Sequence, residues 1–513
     1  MLKIANDDVT KMYVGTSAVT KAYLRYDQVW PTPQHDYSKD YFTVNVLSAG
    51  TITFPQPLEY SKDGGTTWSA LTASQSLSAS AGEQICYRGS ITANTAGGGA
   101  GRWNFGSGAV VTIEGNPMSL FYPYKSQFPY KTQTIDSNGT GYQMFREMFS
   151  YNSTLISAEN LALVASSLTS GCYDNMFSGC TSLTGTPALP ATTLANGCYA
   201  SMFKGCTSLT DTPELPATTL AEKCYAYMFS GCTSLTATTA SIGSSGTTVS
   251  PSACTSMFSD CTSLIAAPEL PARTISGTCY QNMFNNCTSL TTVPSELPST
   301  KIPENGYRNM FNLCSGITSV PVMSATSGGN YCCRSMFNGC SSLQTVTLTL
   351  PNNAAQYAYY GMFSNCTGLT TANITLPATS AGYYSHQGMF SGCISLTTAP
   401  ELPATILSSN CYRSMFNNCT SLQTAPVLSA ATLVDYCYYG MFNGCSVLNY
   451  VKMIATNVSA SNCLTGWLQN VSATGHFVKA TGVSLPSGAN GIPVGWTVEA
   501  DVNLIEEPIG DED

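Results

Sequence analysis

The sequence predicts a mainly β protein with short helices: N-terminal β modules lead into a solenoid of about twelve stacked rungs, closed by a C-terminal β cap. Three observations carry that prediction. A unit of 26 to 29 residues recurs through most of the chain. Within each unit runs a short segment in which apolar residues alternate with polar and β-branched ones. The charged fraction is 10%, against about a quarter in an ordinary globular domain. Gly, Ser and Thr fill the difference, which suits stacked β structure better than a helical enzyme.

The first element spans residues 1–33. It holds a ten-residue echo, "VTKMY" from Val9 and "VTKAYLRYDQVWP" from Val19, with Val, Tyr and Trp alternating against polar residues as strands do. The pattern "VxKxYxG…VxKxY…VW" resembles a short N-terminal segment of structural proteins of tailed phages and prophages. That resemblance implies attachment to another virion protein through Val9, Tyr13, Val19, Tyr23, Val29 and Trp30. The plain alternative is a β-hairpin packed on the next domain. Pro31 and Pro33 then mark a linker, placed at 34–40.

Residues 41–125 read as an all-β module with strand-like runs "YFTVNVL", "TITF", "QICYRGS" and "AVVTIEG". Inside it, "YSKDGGTTW" (Tyr60 to Trp68) resembles the Asp-box of sialidase-like propellers, carried by Ser61, Asp63, Gly65, Thr67 and Trp68. Its physical content is a hairpin turn at Asp63 and Gly64-Gly65 with Trp68 beneath. A single copy in so short a domain predicts a turn device, not a catalytic propeller. The glycine cluster "GGGAGRWNFG" lacks a following helix or Lys-Ser/Thr, so it reads as a loop and not a phosphate cradle. A second linker is placed at 126–141.

The solenoid is assigned to 142–468. A Met-Phe pair recurs at Met148, Met176, Met202, Met228, Met257, Met283, Met310, Met336, Met362, Met389, Met415 and Met441. Another 26 residues on, Trp467 and Leu468 occupy the same slots in a degenerate last copy, and the first copy has Asn152 where a cysteine belongs. A representative unit is "CYRSMFNNCTSL", Cys411 to Leu422. Placed on a helix, its Cys411, Met415 and Cys419 fall at i, i+4 and i+8 on one face. The residue before the second cysteine is Gly, Asn or Asp in ten of eleven units and Leu313 in the other, so the helix is predicted to stop there in a left-handed conformation. The "SLTTAPELPATxL" half predicts a short strand stacked in parallel, with Thr184, Thr210, Thr236, Thr291, Thr318, Thr370 and Thr397 forming a polar ladder. The predicted structural residues are Met202, Phe203, Cys206 and Leu209 in one unit and Met415, Phe416, Cys419 and Leu422 in another.

These units resemble BspA-like leucine-rich repeats in a variant where "MFxxCxxL" replaces "AFxxCxxL". The resemblance implies a right-handed solenoid of the kind found in surface and adhesion proteins of bacteria, protists and phages.

The cysteines admit three readings. Zinc wants four clustered ligands, yet they come singly and the chain has only His35, His386 and His476; no metal and no cofactor is expected. A disulfide within a unit fails because Ala253, Gly306, Ala358 and Ser385 replace the first cysteine in four units, and because residues eight apart on a helix lie ~12 Å apart. Bridges between rungs stay geometrically open, although cytosolic synthesis argues against them. The third reading, small buried hydrophobes, matches the small substitutes best. Cys254 and Cys333, standing in the tyrosine slot, are expected to be partly exposed.

Residues 469–500 read as the cap over the last rung's edge, with Trp496 in its core, and 501–513 as an acidic tail that Glu499 joins. No basic stripe points to nucleic acid, no apolar run is long enough for membrane insertion, and no catalytic constellation or nucleotide fingerprint suggests an enzyme. No signal peptide is visible, so the chain is expected in the cytosol that makes it. The leading reading is therefore a phage virion appendage, a fibre or decoration protein assembled in the bacterial host cytoplasm. It would be homo-oligomeric, anchored by its N-terminus, and would present the solenoid to a host surface glycan or protein. A bacterial cell-surface adhesin and a virion scaffold or cement protein are the alternatives. Function is expected on outward positions such as Arg413, Ser414 and Asn417, or on the strand face.

Overall fold

A computed structural model describes residues 12–14, 17–19, 22–24, 27–30, 41–91, 101–106, 108–121, 143–165, 167–238, 241–351, 355–377 and 379–501. Val9, the 34–40 linker, the 126–141 linker and the tail after Asp501 lie outside them.

The N-terminal echo forms two antiparallel pairs of strands. Met12–Val14 pairs with Ser17–Val19, and Ala22–Leu24 with Asp27–Trp30. The β module follows as two sheets. Asn104–Phe105, Gly50–Thr53 and Ser76–Ala79 form the smaller one. The larger runs Leu155–Leu161, Val111–Gly115, Phe42–Val46, Gln84–Arg88, Leu58–Ser61 and Ser69–Leu71. Alternation in strands such as Gln84–Arg88 turns Ile85 and Tyr87 into a core with Phe42, Val44, Phe54 and Trp103.

One strand of that sheet, Leu155–Leu161, belongs to the first repeat and pairs in parallel with Val111–Gly115. The module and the solenoid therefore share a sheet and one continuous core. Asn152 shows why the first copy departs from its siblings. Its Nδ2 donates to the carbonyls of Trp103 (2.8 Å) and Phe149 (3.0 Å), and its Oδ1 accepts the N–H of Phe105 at 2.8 Å. A thiol has no such pair of functions.

The predicted short helices are absent: among the described residues the one helical element is the 3-10 turn Pro117–Leu120. The "CYxxMFxxC" stretch is instead a run of tight turns with a period of four. In one rung Gly197, Ser201 and Gly205 all have positive φ, at 61°, 52° and 71°. Amide bonds alternate: Ala200 and Met202 donate back to Gly197 and Tyr199 in the same rung, while Tyr199, Ser201 and Phe203 donate to Cys224, Ala226 and Met228 of the next. Each turn stretch is thus hydrogen-bonded like a parallel strand although its path is coiled. The left-handed stop predicted before the second cysteine is present, at Asn418 (φ 60°) among others, and Leu313 adopts it too, at φ 61°. A side chain there costs about 1–2 kcal/mol.

The strand half forms parallel pairs in register, such as Thr345–Thr349 with Thr371–Thr375. The threonine ladder differs in kind from a chain of hydroxyls. Thr184, Thr236, Thr291, Thr370 and Thr397 each donate Oγ1 to a backbone carbonyl one rung back, at 3.0–3.3 Å. The stack ends in a parallel sheet of Tyr450–Met453, Gly475–Ala480 and Trp496–Asp501. Trp467 stands in the methionine slot, accepting the N–H of Phe442 at 2.9 Å, and Trp496 is buried. Glu499 and Asp501, expected in a solvated tail, lie in the last strand and pair with His476 (3.0 Å) and Lys452 (2.6 Å).

Candidate binding face

The side chains of the turn stretch sort into columns, and the inner columns are used up by packing. Met202, Phe203, Cys206, Leu209, Met415, Phe416, Cys419 and Leu422 are all fully buried. The phenylalanines stack rung on rung: Phe284–Phe311 and Phe311–Phe337 have ring centroids 5.4 and 5.5 Å apart, tilted by 7° and 4°. The column continues through Phe149 onto Phe42 and Phe105 of the β module, at 5.6 and 6.1 Å. A second column holds Tyr173, Tyr199, Tyr225, Tyr280, Tyr307, Tyr359, Tyr412 and Tyr438, all buried. Cys254 and Cys333 stand in it fully buried, contrary to the expectation of partial exposure; the tyrosine slot is closed whatever fills it. His386 also fills this slot, between Tyr359 and Tyr412, and burial lowers its pKa to about 3.

Every cysteine among the described residues is unpaired. The two cysteine columns differ physically. Each second cysteine donates its Sγ–H to the phenylalanine carbonyl of the preceding rung: Cys206 to Phe177 at 3.2 Å, Cys287 to Phe258 at 3.0 Å, Cys419 to Phe390 at 3.2 Å. All eleven units do the same, down to Cys445 and Phe416. The first column has no such regular bond, and there Ala253, Ala358 and Ser385 substitute freely for cysteine. Sequence comparison exposed the inequality of the two columns without its cause. Burial pushes the thiols up to about 12 at Cys180, Cys232, Cys314 and Cys445. A thiol reagent is therefore expected to label only the half-buried Cys86 in the native protein and all 22 cysteines after denaturation. Rapid native labelling of more than that one would contradict the packing assigned here.

The columns on the outside of the turns are free of that duty. Tyr331, Tyr357 and Tyr384 are half-buried and form a stacked ladder, with centroids 4.9 and 4.7 Å apart. The exposed Tyr383 meets Tyr384 edge-on at 4.3 Å. Three residues after Tyr331, Arg334 lies 4.8 Å over the ring of Tyr360. One rung earlier Arg308 is held by Asn305, Nη1 to Oδ1, at 3.3 Å. The same device recurs at Arg413 and Asn410 (3.2 Å), and Arg413 lies 4.6 Å over Tyr439. In another outward column, Asn312 donates to Asn285 (2.6 Å), Asn338 to Asn312 (2.7 Å) and Asn365 to Asn338 (3.2 Å). Of the outward positions singled out from sequence, Arg413, Ser414 and Asn417 all lie on this face, Ser414 at a positive φ of 53°.

The signal that separates the tyrosines is their place relative to the first-cysteine slot. Tyrosines one residue after it are core, and those one residue before it, such as Tyr331 and Tyr357, are surface.

Other candidates are accounted for locally. In the Asp-box turn, Asp63 accepts from Ser61 Oγ (2.6 Å), Thr67 Oγ1 (2.6 Å) and the Thr66 and Thr67 amides, which hold its carboxyl below the usual range. Trp68 donates Nε1 to Gly65, so the box acts as the predicted turn. Asp174 sits in a shallow depression with Gln143, Asn196 and Lys223; burial raises its pKa to about 6, and Arg146 pairs with it at 3.2 Å. Among the described residues no group of three His, Cys, Asp or Glu is arranged to hold a metal, and no helix is long and apolar enough to cross a membrane. The side chains of the N-terminal attachment residues Tyr13, Val19, Tyr23, Val29 and Trp30 lie outside what is described, and Val9 entirely so.

Comparison with known proteins gives the repeat its place. The model of the BspA type leucine rich repeat region matches residues 147–279, 197–333, 256–393 and 334–464, well over half of the chain together. A leucine-rich repeat protein from Bacteroides ovatus is 18% identical, covering 72% of this chain and 90% of its own, with a TM-score of 0.38. A leucine rich cell surface protein from Faecalibacterium prausnitzii is 19% identical over 67% of this chain and 90% of its own, with a TM-score of 0.29. A leucine-rich repeat protein from Eubacterium ventriosum is 13% identical over 74% and 94%, with a TM-score of 0.23. No curated protein sequence matches the chain. The chain belongs to the BspA-type leucine-rich repeat family.

Proposed function

We propose that this protein is an adhesive rod that engages a host surface glycan or protein through the outer turn face of its solenoid. One observation carries the reading: Tyr331, Tyr357, Arg308, Arg334 and Arg413 lie on the outer side of the turns, in positions that the buried columns do not use. The matching family is a repeat family and not a catalytic one, and leucine-rich repeats act as binding scaffolds. Contacts along such a face are shallow, so strength would come from several copies acting together. The N-terminal segment supports a phage virion as carrier, with the strands Met12–Val14 to Asp27–Trp30 docked on another virion protein. Family membership favours a second carrier, a bacterial cell surface.

Antibody labelling of purified virions and of phage-free cell envelopes separates the carriers. Signal on virions is the expected result; signal confined to envelopes would move the protein to the second reading. Adhesion itself is tested with the full chain on host cells. A chain present on virions that binds no cells or surface glycans would be a scaffold, and the adhesive reading would fall.

A further inference from the structure

Resting on the adhesive reading, we propose that Arg308 and Arg334, with the tyrosine ladder beside them, form a site for a linear acidic polysaccharide lying along the rod, about one uronate residue per rung. The argument begins with charge. The protein has a net charge of −9, yet among the described residues no carboxylate lies within ion-pair distance of Arg308, Arg334 or Arg413. Arg308 and Arg334 occupy the same position on successive rungs; partial burial first, and then the guanidinium of Arg334, disfavour the charge on Arg308. The Nε of Arg308 is buried with no partner. Two like charges held side by side, one with an unmet donor, form a site that an anion relieves.

Pitch decides which anion. The tyrosine ladder rises 4.9 and 4.7 Å per rung, close to the length of one pyranose unit in an extended chain. In an extended peptide, side chains on the same side recur about 6.6 Å apart, which does not match. Nucleic acid needs open ring faces for its bases. Here the faces of Tyr357 are covered by Tyr331 and Tyr384, and the rings are too close for a base to enter. The hydroxyls of Tyr331 and Tyr357 have no hydrogen-bond partner among the described residues, and phenol hydroxyls suit the hydroxyl-rich edge of a sugar chain.

The test uses the full chain with polygalacturonate as probe, and with dextran, polyglutamate and polyadenylate as controls, by calorimetry at low and moderate salt. Polygalacturonate should bind and dextran should not. Arg308→Ala and Arg334→Ala should each weaken binding by about tenfold, the size of one charge-assisted contact, and Arg334→Lys should recover part of the loss. Tyr357→Ala should weaken binding without changing its salt dependence. Equal binding of dextran, polyglutamate or polyadenylate would overturn the proposal, as would an Arg308/Arg334 double variant that binds polygalacturonate unchanged. The wild type tested on host cells keeps the two readings apart. If the wild type adheres to cells but does not bind polygalacturonate, the site falls while adhesion stands. If polygalacturonate binds but no cell does, adhesion falls while the site stands.

Discussion

Replacing Phe311 with alanine is expected to destabilise the solenoid by about 3–5 kcal/mol and to break its cooperativity. Phe311 is fully buried and stacked on both sides, at 5.4 Å from Phe284 and 5.5 Å from Phe337. Removing it forfeits two aromatic contacts, each worth about 0.5–1.5 kcal/mol beyond burial, and leaves a void that both neighbouring rungs line. Rungs of a solenoid are coupled only to their neighbours. The loss therefore stays at this point in the stack and does not spread evenly. Denaturant unfolding should change from one transition to two, and amide exchange should rise first between residues 284 and 337. A variant that unfolds in one step at the wild-type midpoint would show that the phenylalanine column does not couple the rungs.

Replacing Asn152 with leucine should detach the β module from the first rung. It leaves the Phe105 N–H and the Trp103 carbonyl without their side-chain partner in a buried junction, at about 1–3 kcal/mol for each. The informative control is Asn152→Cys, which restores the residue of the other units. A thiol in this slot donates to a phenylalanine carbonyl, as Cys180 does to Phe149, but gives only a weak acceptor for Phe105. The cysteine variant should therefore also be destabilised, with faster exchange at 103–161 and none at 280–440. If Asn152→Cys were as stable as the wild type, the junction would rest on packing alone. A fragment beginning at 142 would cut through the shared sheet, so truncations should keep residues from 41 onward.

The repeat itself was legible from sequence because its columns are strict. Twelve Met-Phe pairs in step fix the register, and comparing the copies isolates Asn152, Trp467 and Leu468 as end positions. The turn stretch imitates a helix in sequence because a spacing of four lies close to 3.6. Over three slots the two periods diverge, and Gly361, Gly388 and Gly440 before the methionines were evidence against a helix. Those glycines take φ of 57–60°, and Asn175, Asn282 and Asn309 take the same conformation at 54–56°. The phenylalanine stack and the thiol-to-carbonyl bonds connect neighbouring rungs, so no single unit displays them. The outer face was half legible. Arg413 stood out as variable, but the pairing of Arg308 and Arg334 depends on knowing which columns point outward.

The alternation of amide bonds in the turn stretch also sets how the rod answers a pull. Bonds such as Phe203 to Met228 and Phe311 to Met336 run from rung to rung, so tension between the two ends loads them in series, and they open one interface at a time. Each opening would release a loop of about 26 residues, roughly 90 Å of extended chain. A rod built this way is expected to lengthen in steps under load and so to limit the force passed from one end to the other.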